Sequence, residues 1–193
     1  MKKLIVSFLM LFVLVSVRLG AQEHMMFMKT PIDGTITEFA SKMKAKGFVQ
    51  KEVDKNMIIM KGEFMGQVCE LYIAGTEKTK TVWQVSVWFD RVYTSWYSLK
   101  SDYTSVQFSY IGKYGAETKD YHFFVKPYYE GDGYEMQAVK LDKCRYGTFW
   151  DKEDGNIMVS IEKYAQINIV YQDRLNTEKE KKEREIQFSY DDI

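Results

Sequence analysis

The sequence predicts an α+β fold built from two helix-on-antiparallel-sheet units in tandem, with a short charged helix at the carboxyl end. Two amphipathic helical patterns, each ending at a glycine (Gly47 and Gly115), are the first observation. Each pattern is followed by several segments that alternate apolar and polar residues, which is typical of antiparallel strands with one buried face. The predicted organisation is a signal peptide (1–21), a first half (22–92), a second half (93–173) and a tail (174–193).

The amino terminus has the three-part layout of a secretory signal peptide. Lys2 and Lys3 precede an apolar run over residues 4–17. The small residues Gly20 and Ala21 follow, and we expect cleavage after Ala21. The run is shorter than the roughly 20 residues that a membrane-spanning helix needs. The first cysteine is Cys69, far from the cleavage site, so a lipid anchor is not expected. The predicted location is therefore periplasmic or extracellular.

The charge balance gives no reason to expect a nucleic-acid or anionic-lipid partner. The chain has 27 basic and 27 acidic residues, and loss of Lys2, Lys3 and Arg18 with the signal peptide leaves 24 basic residues. A slightly acidic exported protein lacks the positive field that such partners require.

The first half begins with the clearest helix in the chain. Thr35 and Glu38 have the spacing of a capping box, and Gly47 with Phe48 suits the turn that ends a helix. A short strand is expected at Met25–Met28, before the helix. The strands predicted after it are Asn56–Phe64, Gln67–Ala74 and Val82–Phe89.

The second half repeats this order. A helix is predicted to start near Thr94 or Ser95, with one apolar stripe formed by Trp96, Leu99, Tyr103, Val106, Tyr110 and Tyr114. The strands predicted after it are Tyr121–Lys126, Tyr134–Leu141, Arg145–Trp150, Asn156–Lys163 and Gln166–Gln172.

The tail is predicted to be a short solvated helix. Thr177 and Glu180 have capping-box spacing, and residues 178–185 are all charged. The alternative is a docking segment for a partner.

The two cysteines, Cys69 and Cys144, leave two interpretations open. An even number in an exported chain favours a disulfide. Cys69 also alternates with Leu71 and Ile73 on a predicted buried strand face, which favours a buried free thiol.

Several segments resemble a group of uncharacterised exported proteins of Gram-negative gut anaerobes. They are HMMFMKTPIDGTITEFASKMKAKGF, KYG, YYEGDGYEMQAVKLDKCRYGTFW and INIVYQDRLN. The group has no assigned activity. The paired helix-on-sheet layout is also similar to the β-lactamase inhibitor protein fold and to outer-membrane assembly lipoproteins of the SmpA/OmlA type. That similarity implies protein binding, although no inhibitory or assembly residue can be matched and layout alone does not define function.

Few chemistries have candidate residues. The chain has two histidines, His24 and His122, and neither they nor the cysteines have metal-ligand spacing, so no metal or cofactor is expected. Cys144 and His122 are the one candidate for a catalytic nucleophile, because an imidazole that takes the thiol proton creates a thiolate. The alternative is a structural role for both residues. The segment 151–156 resembles a calcium loop, but Gly155 is one position early, which favours a hairpin turn.

Aromatic residues are the most distinctive part of the composition, with 14 Tyr, 12 Phe and 4 Trp. Tyr128, Tyr129 and Tyr134 lie in or beside a glycine-rich loop, where binding residues are common. We expect a non-catalytic binding protein that uses its sheet surface and this loop to hold an envelope or extracellular macromolecule, with a protein partner favoured. The alternatives are a carbohydrate-binding accessory protein with an exposed aromatic platform, in which Trp150 would join Tyr128 and Tyr129, and a hydrolase without a recognisable motif.

Overall fold

The computed structural model describes residues 23–191, with side chains described as far as residue 185. The fold is a mixed α/β fold with an eight-stranded antiparallel sheet. The helices are α1 (Ile36–Lys44), α2 (Trp96–Tyr114), α3 (Glu135–Lys140) and α4 (Arg174–Asp191). The strands are β1 (Met26–Phe27), β2 (Thr30–Pro31), β3 (Val49–Asp54), β4 (Met57–Phe64), β5 (Gln67–Gly75), β6 (Val82–Phe89), β7 (Lys119–Phe124), β8 (Cys144–Lys152), β9 (Gly155–Glu162) and β10 (Gln166–Asp173). The predicted signal peptide, residues 1–21, lies outside the described residues.

The strand order in the sheet is β3-β4-β5-β6-β10-β9-β8-β7, and β1 and β2 form a separate hairpin. Strands β3–β6 form one half of the sheet and β7–β10 the other. The halves meet where β6 pairs with β10, with Val87 opposite Ile169. None of the helices among the described residues is long and apolar enough to cross a membrane.

Helix α1 begins at the predicted capping box. The Thr35 hydroxyl accepts from the backbone N–H of Glu38 (3.2 Å), and the Glu38 carboxylate accepts from the backbone N–H of Thr35 (2.8 Å). After the helix, Gly47 takes a φ of +96° and turns the chain back. Phe48 then packs on Gly62, where an added Cβ would lie 2.6 Å from the Phe48 ring. This close approach fixes α1 against β4.

Helix α2 follows the predicted stripe and covers the second half of the sheet. Ser95 caps its first turn, and Gly115 ends it with a φ of +84°. Tyr103 contacts Tyr146 on β8, and Tyr110 contacts Trp150 on the same strand. Phe48, Tyr146 and Trp150 all belong to the single buried core, so α1 and α2 cover the same face of the sheet.

Strand β3 and helix α3 differ from the sequence prediction. Strand β3 was not expected, because all six of its residues are exposed and show no buried alternation. Residues 134–141 were predicted as a strand, but the chain forms α3 there. Its buried residues, Ala138 and Val139, are adjacent, and adjacent residues point to opposite faces of a strand, whereas a helix can bury both on one side.

The tail forms a longer helix than predicted, and it is not only a solvated one. Helix α4 is capped by Asp173, whose carboxylate accepts from the backbone N–H of Asn176 (2.8 Å), so it begins before Thr177. Glu180 and Glu183 are buried, with 5% and 7% of their surface exposed. Both carboxylates bind the β5–β6 turn, because Glu180 accepts from the N–H of Glu77 (2.9 Å) and Glu183 from that of Lys78 (2.6 Å).

The opposite end of the same helix ties down the other half of the sheet. The Arg174 guanidinium binds the Asp151 carboxylate (2.6 Å) and backbone carbonyls of the β8–β9 turn. That turn is the hairpin predicted at residues 151–155 in place of a calcium loop. Helix α4 therefore joins a turn from each half.

Both cysteines are buried free thiols, so the disulfide interpretation is wrong for this fold. Cys69 lies on β5 and Cys144 on β8, four positions apart in the strand order. At about 4.8 Å per strand this is roughly 19 Å, beyond the roughly 7 Å between Cα atoms that a disulfide spans.

Candidate binding surface

The face of the sheet opposite α1 and α2, here called the open face, is the main candidate surface. Within the described residues, α1 and α2 pack only on the side of the sheet that holds the buried core. Side chains on the open face alternate with core residues along each strand, so the strand register defines which of them are neighbours.

One line of paired residues crosses most of the open face and is largely apolar. It is here called the apolar row. From β4 to β8 its members are Ile59, Tyr72, Ser86, Val170, Met158 and Phe149. Most of these side chains are half-buried, so the row is a partly exposed apolar band across the sheet.

The next line of pairs forms a trough beside the apolar row. Its floor consists of three neighbouring residues on β10, β9 and β8: Asn168, Ser160 and Gly147. The floor is low because Ser160 and Gly147 are small and the Asn168 side chain lies along the sheet. The Asn168 amide is held flat by donating to the backbone carbonyl of Val87 (3.0 Å). Trp88 and Tyr121 stand at the two ends of this line. Bulky ends around a low floor give the surface its concave shape.

Two hollows on the open face meet at Phe149 and Met158. The first, of about 400 Å³, includes Tyr121, Phe123 and Gly147 in its lining. The second, of about 380 Å³, continues the same surface towards β10 and includes Val170 and Gln172.

The first hollow has a polar end. The Arg145 guanidinium binds the Asp142 carboxylate (2.6 Å), and this hydrogen bond lowers the pKa of Asp142. The Ser160 hydroxyl donates to Glu162 (2.7 Å) nearby. The hollow therefore combines apolar walls with one cation and two carboxylates at its rim, the mixture usual in protein interfaces.

Under the second half of the sheet lies a polar cluster of Tyr103, Gln107, Asp120, His122 and Thr148. Tyr103 and Thr148 share a hydrogen bond of 2.6 Å between their hydroxyls, and Thr148 donates to Asp120 (2.7 Å). The His122 Nε2 lies 3.2 Å from the Asp120 carboxylate and 3.3 Å from the Tyr103 hydroxyl. Gln107 donates to Thr148 (3.1 Å). These bonds attach α2 to β7 and β8.

The structure argues against the thiolate pair of Cys144 and His122. Cys144 is buried, and burial raises the pKa of its thiol to about 12, which keeps it neutral. The His122 ring is stacked on Tyr146, with 4.7 Å between ring centroids, and its Nε2 is directed at Asp120 and Tyr103. His122 is therefore part of the polar cluster.

The aromatic loop between β7 and α3 holds the three tyrosines predicted to bind a partner. Tyr129 and Tyr134 are 64% and 61% exposed, whereas Tyr128 is half-buried. The Asp132 carboxylate accepts from the backbone N–H groups of Tyr129 (3.0 Å) and Tyr134 (2.7 Å), so the loop is held in one shape. None of the three tyrosines lines either hollow.

Glu130 attaches this loop to the core. Its carboxylate accepts from the Trp96 indole (3.3 Å), from the Tyr146 hydroxyl (3.1 Å) and from the Lys100 ammonium group. The hydrogen bond with Lys100 is the main cause of a lowered pKa for Glu130. Trp150, the third member of the predicted carbohydrate platform, is a core residue with 2% of its surface exposed.

Sequence reasoning named the loop tyrosines but not the residues of the trough. Phe149 and Met158 each belong to a predicted strand, but only the cross-strand register brings them together. The available signal was Gly147, a glycine inside a strand pattern, which marks a close approach or a hollow.

Comparisons with family models, curated proteins and solved structures give no match for this chain. Within residues 23–191, no group of three or more His, Cys, Asp and Glu side chains is arranged to hold a metal ion.

Proposed function

We propose that this chain is an exported, non-catalytic binding protein whose open face holds the surface of another protein. The observation that carries the proposal is the apolar row beside the trough, a partly apolar surface on the face of the sheet opposite α1 and α2. Solvent-exposed apolar surface of this kind is typical of interaction sites.

The shape favours a macromolecule over a small molecule. Small-ligand sites enclose most of the ligand, whereas the two hollows here form one shallow surface along several strands. The side chains are also suited to a protein. Aromatic residues, methionine and arginine are enriched in protein interfaces, and Tyr121, Phe149, Met158 and Arg145 surround the first hollow.

The proposal extends to the architecture and the location. Each half has a helix followed by four strands of the main sheet, α1 before β3–β6 and α2 before β7–β10, which supports two similar units in tandem. The β1–β2 hairpin in the first half and α3 in the second are additions to this order. The signal-peptide pattern of residues 1–21 supports export, with the partner in the envelope or outside the cell. The exposed tyrosines of the aromatic loop form a second contact region in this proposal.

The test is capture of partners by the tagged protein from the producing cell's envelope and medium, with proteins and glycans identified in parallel. The Phe149→Ser/Met158→Ser variant removes both side chains at the junction of the hollows. We expect one saturable protein partner whose Kd rises at least tenfold, because central aromatic and methionine contacts are each worth about 1–2 kcal/mol.

A matched control removes exposed apolar side chains elsewhere. In Val53→Ser/Val68→Ser, the replaced residues are 59% and 46% exposed and lie in the first half. This variant should bind like the unchanged protein, and thermal unfolding should show that both variants are folded. Equal affinity of the two double variants, or recovery of glycans alone, would overturn the proposal.

The aromatic loop is tested separately by replacing Tyr128, Tyr129 and Tyr134 with serine. We expect weaker capture of the same partner with little loss of stability, since Tyr129 and Tyr134 are mostly exposed. Unchanged capture would remove the loop from the binding surface.

A further inference from the structure

The two edges of the sheet are protected to different degrees. The outer strand β3 carries Lys51, Glu52 and Asp54, and its register shifts between Gln50 and Glu52, as in a β-bulge. Charges and bulges are the devices that keep an edge strand from pairing with another chain. The opposite edge, β7, pairs with β8 in unbroken register and exposes Tyr121 and Phe123 by 45% and 50%.

The hydrogen-bonding direction along β7 follows from its pairing with β8. The Val125 N–H donates to the Lys143 carbonyl (2.7 Å), in the same register as the pairs Lys119–Phe149 and Phe123–Arg145. Odd-numbered residues of β7 therefore direct their backbone groups at β8, and even-numbered residues direct theirs outwards. Asp120, His122 and Phe124 thus present an unpaired edge, since no described strand lies beyond β7.

We propose that a second copy of this chain pairs with β7 in antiparallel fashion, with Tyr121 on the two-fold axis. In this register Asp120 is opposite the partner subunit's His122, and the symmetry forms this pair twice. On the open face, Tyr121 is opposite the partner subunit's Tyr121, and Lys119 is opposite the partner subunit's Phe123. Hydrogen-bonding pairs and aromatic pairs are favourable combinations in cross-strand positions.

The pairing of a carboxylate with an imidazole selects both this occupant and this register. Within one chain the His122 Nε2 already lies 3.2 Å from the Asp120 carboxylate, and the two-fold axis would extend this contact across both chains. The strand reads Lys-Asp-Tyr-His-Phe from residue 119 to 123, so the acid and the imidazole stand on either side of the central tyrosine. Centring the axis on His122 instead would place the two imidazoles opposite each other and Asp120 opposite a phenylalanine. The pairing would join two sheets into one and make the two open faces continuous. The proposed pairing of two copies does not depend on binding of a partner in the trough.

Cysteine cross-linking tests the register. Tyr121 and the partner subunit's Tyr121 would form a non-hydrogen-bonded pair. The Cα atoms of such a pair are about 4.5 Å apart, within the range for a disulfide. We expect Tyr121→Cys to form a covalent dimer under mild oxidation, and Phe123→Cys, the matched control, to remain mostly monomeric. The buried native thiols, Cys69 and Cys144, should not compete. Cross-linking of the two variants with each other, but not of Tyr121→Cys with itself, would overturn the register.

Sedimentation equilibrium tests the pairing itself. His122→Ala and His122→Pro both remove the imidazole, but only the proline variant also removes the outward N–H, which β8 does not use. We expect the purified protein to dimerise reversibly, with a dimer Kd about tenfold higher in His122→Pro than in His122→Ala, because symmetry removes two hydrogen bonds. A monomer at about 1 mM, or equal Kd values in the two variants, would overturn the proposal. Neither result bears on the Phe149→Ser/Met158→Ser capture experiment, so the two proposals can fail separately.

Discussion

The two halves of the sheet are each covered by a helix but bury different side chains. Beneath α1 the core is mainly aliphatic, with residues such as Met43, Leu71 and Ile73. Beneath α2 the core also contains buried tyrosines and hydrogen-bonded polar side chains, among them Tyr103, Gln107 and Thr148. An aliphatic core is stabilised by burial alone, whereas the second core also needs specific partners for its polar atoms.

The surfaces differ in the same way. In the described residues before 93, the exposed large hydrophobic side chains are aliphatic: Met26, Val49, Val53, Met65, Val68 and Val92. From residue 93 onwards nearly all are aromatic: Tyr97, Phe108, Tyr121, Phe123, Tyr129, Tyr134 and Tyr164, with Leu141 as the exception. In the binding proposal above, the exposed aromatic residues of the second half are therefore the candidate contacts, and the first half mainly stabilises the fold.

The largest expected effect is on the core beneath α1. Phe39→Ala removes a ring with 0% exposure on α1 and should lower the free energy of unfolding by about 3–5 kcal/mol. Urea denaturation measures this. Phe108→Ala on α2 is the control, because that ring is 65% exposed, and its effect should stay within about 0.5 kcal/mol. Similar losses in the two variants would show that the buried Phe39 ring contributes no more to stability than an exposed ring does.

The next largest effect on stability is expected at Glu183, through which α4 binds the β5–β6 turn. Burial opposes ionisation of Glu183, but hydrogen bonds from Thr79 and from the backbone N–H groups of Lys78 and Thr79 prevail and lower its pKa from 4.5 to about 2. Because the folded-state pKa is the lower one, this stabilisation is complete above pH 4.5 and is lost as the pH falls towards 2.

Glu183→Gln should therefore cost about 2 kcal/mol at pH 7 and much less near pH 2. Thermal unfolding across this pH range measures the difference. Glu178→Gln, which changes an exposed residue of the same helix, should leave the pH profile unchanged. A constant difference between wild type and Glu183→Gln at every pH would show that the carboxylate charge does not hold the β5–β6 turn.

A smaller effect is expected in the polar cluster. Tyr103→Phe removes one hydroxyl, while Thr148 keeps its bonds to Asp120 and Gln107, so the cost should be about 1 kcal/mol. Tyr97→Phe is the control, since that residue is 84% exposed and should show no change in urea denaturation. No loss in Tyr103→Phe would mean that the Tyr103 hydroxyl adds nothing to the packing of its ring against the sheet.

The smallest effect on stability is expected at the floor of the trough. An added Cβ at Gly147 would lie 3.3 Å from the Phe149 ring, which can shift because it is only half-buried. Gly147→Ala should change the free energy of unfolding by less than about 1 kcal/mol, since alanine also restricts the unfolded chain. Partner capture should weaken, because the added methyl group raises the floor. Unchanged capture would place the contact away from the trough.

Local sequence signals predicted the elements that have their own capping residues or a clear apolar periodicity. Thr35 with Glu38 and Ser95 with its apolar stripe marked α1 and α2, and alternation marked most strands. Strand β3 was not predicted because its residues are all exposed and show no alternation of buried and exposed positions. Helix α4 begins earlier than the capping-box spacing predicts because Asp173, not Thr177, caps it.

The candidate surface was harder to predict than the fold. The aromatic loop was visible because Tyr128 and Tyr129 precede a glycine-rich turn. The trough was not, because Phe149, Met158 and Val170 are far apart in sequence and become neighbours only through pairing of β8, β9 and β10. Periodicity identifies the face of a strand, but it contains no information on which strand lies beside it.

The buried carboxylate of Asp173 has a consequence for how the chain closes. It accepts from the backbone N–H of Met25 (2.9 Å), which is 148 residues away, while its other oxygen caps α4. The amide proton of Met25 is therefore held by a fully buried carboxylate at the end of β10, one of the central strands of the sheet. Its deuterium uptake should therefore be slow and should match that of the central strands, because it exchanges only when the whole domain opens.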